Sequence, residues 1–407
     1  MLVPKLRFKR EDGTDYPEWR HTCVGEVFDK VKDKNKGCSN TNVVTNSAEF
    51  GLISQRDFFD KDIAVEGKTD NYTIIKANDF VYNPRKSSFA PFGAFNGYTL
   101  TDDGIVSPLY FCLRMKNNEM SANFMLWYFK SSRWHRFIYE NGEQGGARHD
   151  RVGVSEEMLK GIPIDKPCLE EQQKIADFLS TVDEVIAQSE AEVQNLEQQK
   201  KAAMQKIFSQ EVRFKREDGT EYPEWEKQRI GDLFYKVNER NNGQFDKTKW
   251  ISVAKMYYQM PDKVTSNNID TRTYVMRLGD MAFEGHPNSD FLFGRFVVND
   301  IGDGVISELF PIYRHKTEYV LKYWKYAIQI EKVMAHIYRR SITSSGASSN
   351  KLNDNDFQRE SICVPCLEEQ QKIADFLSSY DEAISYAKQE LDKWKELKKG
   401  LLQQMFV

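Results

Sequence analysis

The fourteen residues PCLEEQQKIADFLS stand at Pro167 to Ser180 and again, letter for letter, at Pro365 to Ser378. An internal repeat limits the possible folds more than any local propensity does, because it makes the chain two copies of one plan. A second repeat agrees: RFKREDGTDYPEW at Arg7 to Trp19 returns as RFKREDGTEYPEW at Arg213 to Trp225. Weaker echoes lie between, GEVFDKV at Gly25 against GDLFYKV at Gly231 and DGIVSPLY at Asp103 against DGVISELF at Asp303. Each copy is therefore a divergent globular module followed by an invariant segment, an arrangement that predicts pseudo-twofold geometry.

The segment after each PCLEEQQKIADFLS motif predicts a long helix. Neither Pro nor Gly occurs from Glu170 to about Phe208, and apolar residues recur at heptad spacing. With Ile175 at position a, the a positions are Ile175, Val182, Ser189, Leu196 and Ala203, and the d positions are Leu179, Ile186, Val193, Lys200 and Ile207. The second copy gives Ile373, Tyr380, Ala387, Trp394 and Leu401, with Leu377, Ile384, Leu391, Lys398 and Met405. Such a seam wants a continuous partner helix, and the simplest is the other copy, running antiparallel. At 1.5 Å per residue each helix is roughly 60 Å long. The alternative is that each helix docks only on its own module.

Within the modules, strand-like runs (NYTIIK, DFVYN, PLYFCLRM, RFVVND, LFPIYRH) alternate with helical stretches such as NFMLWYFKSSRWHRFIYE and VLKYWKYAIQIEKVMAHIYRR. Each module reads as an α+β domain of about 150 residues. The expected division is 1–167 for the first module, 168–211 for the central helix, 212–365 for the second module and 366–407 for the last helix.

Charge and chemistry narrow the function. The net charge of −4 argues against a nucleic-acid partner, but its distribution does not. Residues 1–168 carry +1 and 212–366 carry +2, whereas the helical segments carry −5 and −2. No apolar run approaches a membrane span and MLVPKLRFKRED lacks a signal-peptide core, so a cytoplasmic protein is expected. Among six cysteines only CVPC at Cys363 to Cys366 has metal-like or redox-like spacing, and the repeat puts Asp165 where Cys363 stands; buried or idle thiols are expected. GKT at Gly67 to Thr69 has Asp62 where a phosphate loop needs glycine. Neither a Gly-x-Gly-x-x-Gly turn, nor an Asn/Asp-Pro-Pro-aromatic loop, nor a His-Glu-x-x-His motif occurs. No catalytic set emerges.

Two loops per module instead combine basic, amide and hydroxyl residues with aromatics and glycines. They are NPRKSSFAPFGAFNGY (Asn83 to Tyr98) and ENGEQGGARHDR (Glu140 to Arg151), then EGHPNSDFLFGRF (Glu284 to Phe296) and YRRSITSSGASSNK (Tyr338 to Lys351). Such side chains supply phosphate contacts and hydrogen bonds to base edges. The candidate DNA-contacting residues are Arg85, Lys86, Ser87, Arg148, His149 and Arg151 in the first module. In the second they are His286, Asn288, Arg295, Arg339, Arg340, Ser344, Ser345, Ser348, Asn350 and Lys351. Ordinary surface turns share this composition.

The whole plan, with P-x-L-E-E-Q-x-K-I-A-x-F-L before each helix and YPEW and G-[DE]-[VL]-F at each module start, resembles the specificity subunit of type I restriction-modification enzymes. The resemblance covers essentially the whole chain. It implies two target recognition domains, each reading one half of a split double-stranded DNA sequence, and two helices that act as spacer and as dock for two methylation subunits, with restriction subunits joining them. It implies further that this chain is non-catalytic, with S-adenosylmethionine, ATP and Mg belonging to the partners. The expected partner contacts lie in the repeated motif: Glu170, Glu171, Gln172, Lys174 and Phe178, then Glu368, Glu369, Gln370, Lys372 and Phe376. A protein scaffold whose modules bind proteins is the alternative from another class.

Overall fold

In the computed structural model, residues 4–58, 67–142, 150–288, 291–344 and 349–406 are described. The chain forms two compact units, Met1–Ser189 with Glu390–Val407, and Glu190–Gln389.

The first unit is built on an antiparallel four-stranded sheet in the order Phe28–Lys30, Phe111–Met115, Phe80–Asn83, Ala94–Gly97. Strand periodicity divides its side chains between two cores. Phe80 and Tyr82 join Phe95, Phe129 and Trp134 on one face, while Val81 joins Val31, Val44, Ile75 and Val106 on the other. The run predicted as one helical stretch is two helices, Ala122–Lys130 and His135–Asn141. Ser121 starts the first by accepting from Phe124 N, and the chain leaves it at Ser131. Phe129, from its last turn, stacks on Phe95 with centroids 3.7 Å apart.

The second unit repeats the plan with the strand order Phe234–Val237, Ile312–His315, Met281–Glu284, Arg295–Val298 and the helices Leu321–Ala327 and Glu331–Ser341. Met281 and Phe283 face one core and Ala282 the other.

The central helix runs from Leu169 to Phe208 and the terminal helix from Leu367 to Met405. The heptad register holds, since every a and d residue is buried or half-buried. In the first unit Leu401 and Met405, near the end of the terminal helix, share a core with Ile175 and Leu179 near the start of the central one. In the second unit Lys200 pairs with Asp381 at 2.6 Å and Glu197 with Lys388 at 2.7 Å, so the helices run antiparallel.

The lysine that recurs at one d position now has a reason. Lys200 reaches Asp381, whose other oxygen accepts from Tyr326 Oη at 2.6 Å. In the first unit Lys398 pairs with Asp183, and Lys130 Nζ lies 3.3 Å from the same carboxylate. A polar group at a d position costs apolar packing but rejects other registers, because a slipped pairing would strand the charge.

Candidate nucleic-acid interface

Each sheet carries a hairpin whose connecting loop was singled out in the sequence. In the first unit Phe80–Asn83 pairs with Ala94–Gly97; in the second Met281–Glu284 pairs with Arg295–Val298. The intervening loops, 84–93 and 285–294, have equal length and share one hydrogen-bond frame. Arg85 N donates to Asn83 Oδ1 (3.1 Å) as His286 N donates to Glu284 Oε1 (3.0 Å). Ser87 N donates to Ala90 O and Asn288 N to Phe291 O, both at 3.1 Å. Ala90 N donates to Ser87 Oγ and Phe291 N to Asn288 Oδ1. Gly93 and Gly294 close the loops at φ 88° and 85°, where a Cβ would stand 2.6 Å from Asn83 O and 2.5 Å from Glu284 O. Only glycine fits there.

A second loop, distant in sequence, meets the first in both units. Lys86 N donates to Asp150 O at 2.8 Å and Val152 N to Pro84 O at 2.9 Å; Asn350 N donates to Gly285 O at 2.8 Å. The structure therefore brings Arg85, Lys86, Ser87 and Arg151 together in one cleft. It also brings His286, Asn288, Arg295 and Asn350 to one corner of the second unit, with Lys351 next in the chain. Arg340 instead pairs with Glu360 at 3.7 Å, and Arg339 is exposed beside it. Arg148, His149, Ser345 and Ser348 lie outside the described residues, as does the side chain of Ser344.

On this shared frame the chemistry differs. Asn83, Arg85, Ser87 and Ala94 in the first unit correspond to Glu284, His286, Asn288 and Arg295 in the second. The first floor is neutral: Asn46, 3% exposed, donates to Val81 O at 2.7 Å and accepts from Asn96 Nδ2 at 2.7 Å and Asn83 Nδ2 at 3.0 Å. The second is charged: the buried Glu284 carboxylate lies 2.6 Å from His286 Nδ1 and 3.7 Å from Arg295 Nε. Arg295 also donates to Ala254 O at 2.5 Å and covers the Phe291 ring. Sequence reasoning missed Asn46, which lies outside both loops on the hairpin Val44–Ser47/Gly51–Ser54.

The repeated motif is a different kind of site, and here one expectation is corrected. Glu171 and Glu369 are 0% exposed and Gln172 and Gln370 at most 4%, so these four residues are not partner contacts. Arg7 grips Glu171 through two bonds of 3.0 and 2.8 Å, and Trp19 Nε1 adds a third at 2.9 Å. Arg213 and Trp225 hold Glu369 in the same way. The carboxylate in turn raises the pKa of Arg7, and Glu369 that of Arg213. Gln172 accepts from Ser121 N and donates to Pro167 O; Gln370 accepts from Val320 N and donates to Pro365 O. The two repeats are thus halves of one intramolecular joint. Glu170, Glu368 and Lys372 are exposed, Lys174 donates to Lys9 O, and Phe178 and Phe376, each 37% exposed, meet Phe8 and Phe214 edge-on.

Among the described residues no cluster of three or more His, Cys, Asp or Glu could hold a metal, and no helix is long and apolar enough to cross a membrane.

Comparison with known proteins agrees with this two-unit plan. The chain is 23% identical over 416 residues to the type I restriction enzyme MjaVIII specificity subunit of Methanocaldococcus jannaschii, covering 97% of this chain and 94% of that one. It is 23% identical over 316 residues to the putative type I restriction enzyme MjaX specificity subunit of the same organism, covering 71% and 68%. A solved chain, from work on complex assembly and conformational transition of the type I R-M system, shares the fold with a TM-score of 0.59 at 14% identity, covering 96% of this chain and 98% of that one. The family described as type I restriction modification DNA specificity domain matches residues 16–198 and 222–395, once over each module and its helix. The chain belongs to that family and is a type I restriction-modification specificity subunit with two recognition domains.

Proposed function

We propose that each recognition unit reads one half of a bipartite duplex target through its paired loops, and that the helices fix the distance between the halves. One observation carries this reading: two loops of equal length share a hydrogen-bond frame but present Arg85 in one unit and His286 in the other. A common frame with changed side chains suits two readers of two sequences. The DNA-specificity family match over both modules takes support from the scaffold reading.

The outward residues of the repeated motif, Glu170, Lys174 and Phe178 with Glu368, Lys372 and Phe376, offer the same chemistry twice and so suit two identical methylation subunits. Those partners, with restriction subunits, supply S-adenosylmethionine, ATP and Mg; the assembly methylates adenine and cleaves DNA in the cytoplasm. This chain contributes recognition and no reaction.

The test is to produce the chain with its methylation subunit in a host lacking adenine methylation and to map modified adenines across the genome. A split motif with a fixed gap is expected. Exchanging residues 84–93 for 285–294 is expected to change the bases read in one half while leaving the other half and the gap intact. A stable complex that methylates no recurring motif would overturn the reading.

A further inference from the structure

One exposed turn recurs in both units although the candidate loops differ. The turn between Gly104–Val106 and Phe111–Met115 places Leu109 in solvent at 53% exposure; the turn between Gly304–Ser307 and Ile312–His315 places Leu309 there at 81%. The two turns are built alike. Tyr110 N donates to Ser107 O and Phe310 N to Ser307 O, both at 3.1 Å. Leu109 N reaches Ser107 Oγ and Leu309 N reaches Ser307 Oγ, both at 3.3 Å. The residue after each leucine turns inward, Tyr110 and Phe310 packing on their own cores, so neither turn needs its leucine for stability. The preceding residue is free to vary, Pro108 in one unit and Glu308 in the other.

The surroundings of each leucine are polar and charged. Leu109 lines the same cleft as Arg85, Lys86 and Arg151. Beside Leu309, Glu308 holds Arg240 at 2.5 Å and Arg272 at 3.4 Å. An exposed apolar side chain beside polar and charged groups adds little to a protein core but is suited to a base stack, where apolar wedges part neighbouring base pairs while cations hold the phosphates.

We infer that Leu109 and Leu309 are wedges, each inserted at one base step of its half-site to unstack the duplex without reading its sequence. This rests on the recognition reading above and deepens it. An enzyme that modifies a base must take it out of the stack, and a step already parted lowers that cost. Sameness is then expected of the leucines and difference of the loops, because unstacking is common to both half-sites and base reading is not.

The test uses the complex of the chain with its methylation subunits on duplexes carrying the mapped target, with 2-aminopurine placed in turn at positions other than the modified adenines. The unsubstituted complex should brighten one step in each half-site. Leu109→Ala should abolish the signal in one half-site and Leu309→Ala in the other, each weakening binding about tenfold; Leu→Met at either site should retain both. Unchanged signal and affinity in assembled alanine complexes would overturn the inference. So would alanine variants that melt normally but no longer assemble with the methylation subunits, which would assign the leucines to a protein interface. Failure of the unsubstituted complex to bind any bipartite target would overturn the recognition reading, and this inference with it.

Discussion

The paired surface loops and the helix joints are both duplicated, yet they differ in what the duplication kept. At the joints, Arg7, Trp19 and Glu171 recur as Arg213, Trp225 and Glu369 with the same bonds. At the loops the path and its bonds recur while the residues change: Asn83, Arg85 and Ala94 stand where the second unit has Glu284, His286 and Arg295, and Asn83 and Glu284 accept the equivalent backbone N–H through different side-chain oxygens. The difference shows that a buried carboxylate fixes its partners' identities, because an unpaired charge inside a protein is costly. A backbone frame closed by one glycine fixes only a path. Side chains pointing off that path can change without disturbing it.

The largest expected effect lies at the joints. Arg7→Ala or Arg213→Ala leaves the buried carboxylate of Glu171 or Glu369 without its cation and should cost about 3–5 kcal/mol each. Urea unfolding of the two variants should give equal losses; a second-unit loss under half of the first would break the equivalence.

The helix pair comes next. Replacing Lys200 or Lys398 with Met leaves Asp381 or Asp183 short of a cation and should cost about 1–2 kcal/mol. The two penalties should differ, because Asp381 keeps the Tyr326 hydroxyl and Asp183 keeps Lys130. Thermal melts of both variants beside the parent check this.

An effect that is smallest at neutral pH and grows on acidification sharpens the contrast between units. His315 pairs with Phe234 across the sheet as Met115 pairs with Phe28, so the histidine has no counterpart. Both its ring nitrogens are buried without partners, and burial beside Phe234, Tyr319 and Trp324 pushes its pKa down to about 3. An unfolded histidine titrates near about 6.5. Between those values the unfolded chain binds the extra proton, so this contribution is whole above about pH 6.5 and is lost as pH falls towards 3. His315→Met should flatten the decline in melting temperature between pH 7 and pH 4.5; an unchanged slope would show that His315 does not carry it.

Much of this architecture was legible in the sequence because it rests on periodicity and repetition. The heptad positions from Ile175 to Ile207 and from Ile373 to Met405 are inward, and the recurring lysine was visible as an exception. Its reason was not, since Asp381 lies 181 residues from Lys200. The four loops were visible through glycine and side-chain chemistry, but their meeting in pairs depends on the bonds from Lys86 to Asp150 and from Asn350 to Gly285. Asn46 was missed because an asparagine in a short hairpin carries no local sign of the backbone it will hold. Glu171 was read as a surface residue because identity between copies shows that a position is constrained, not which side of it faces in.

The joint also bears on heredity. The Arg–Glu–Trp clasp that ties a module to its helix belongs to the stretches the two copies share, RFKREDGT through YPEW and PCLEEQQKIADFLS, while further ties such as Ser121 to Gln172 and Tyr326 to Asp381 start from module residues outside them. A genetic exchange with a crossover inside either stretch would carry in a foreign module already bearing its half of the Arg–Glu–Trp clasp. The same residues that hold one subunit together thus mark seams along which lineages could trade half-sites in a single event, with the clasp itself kept intact.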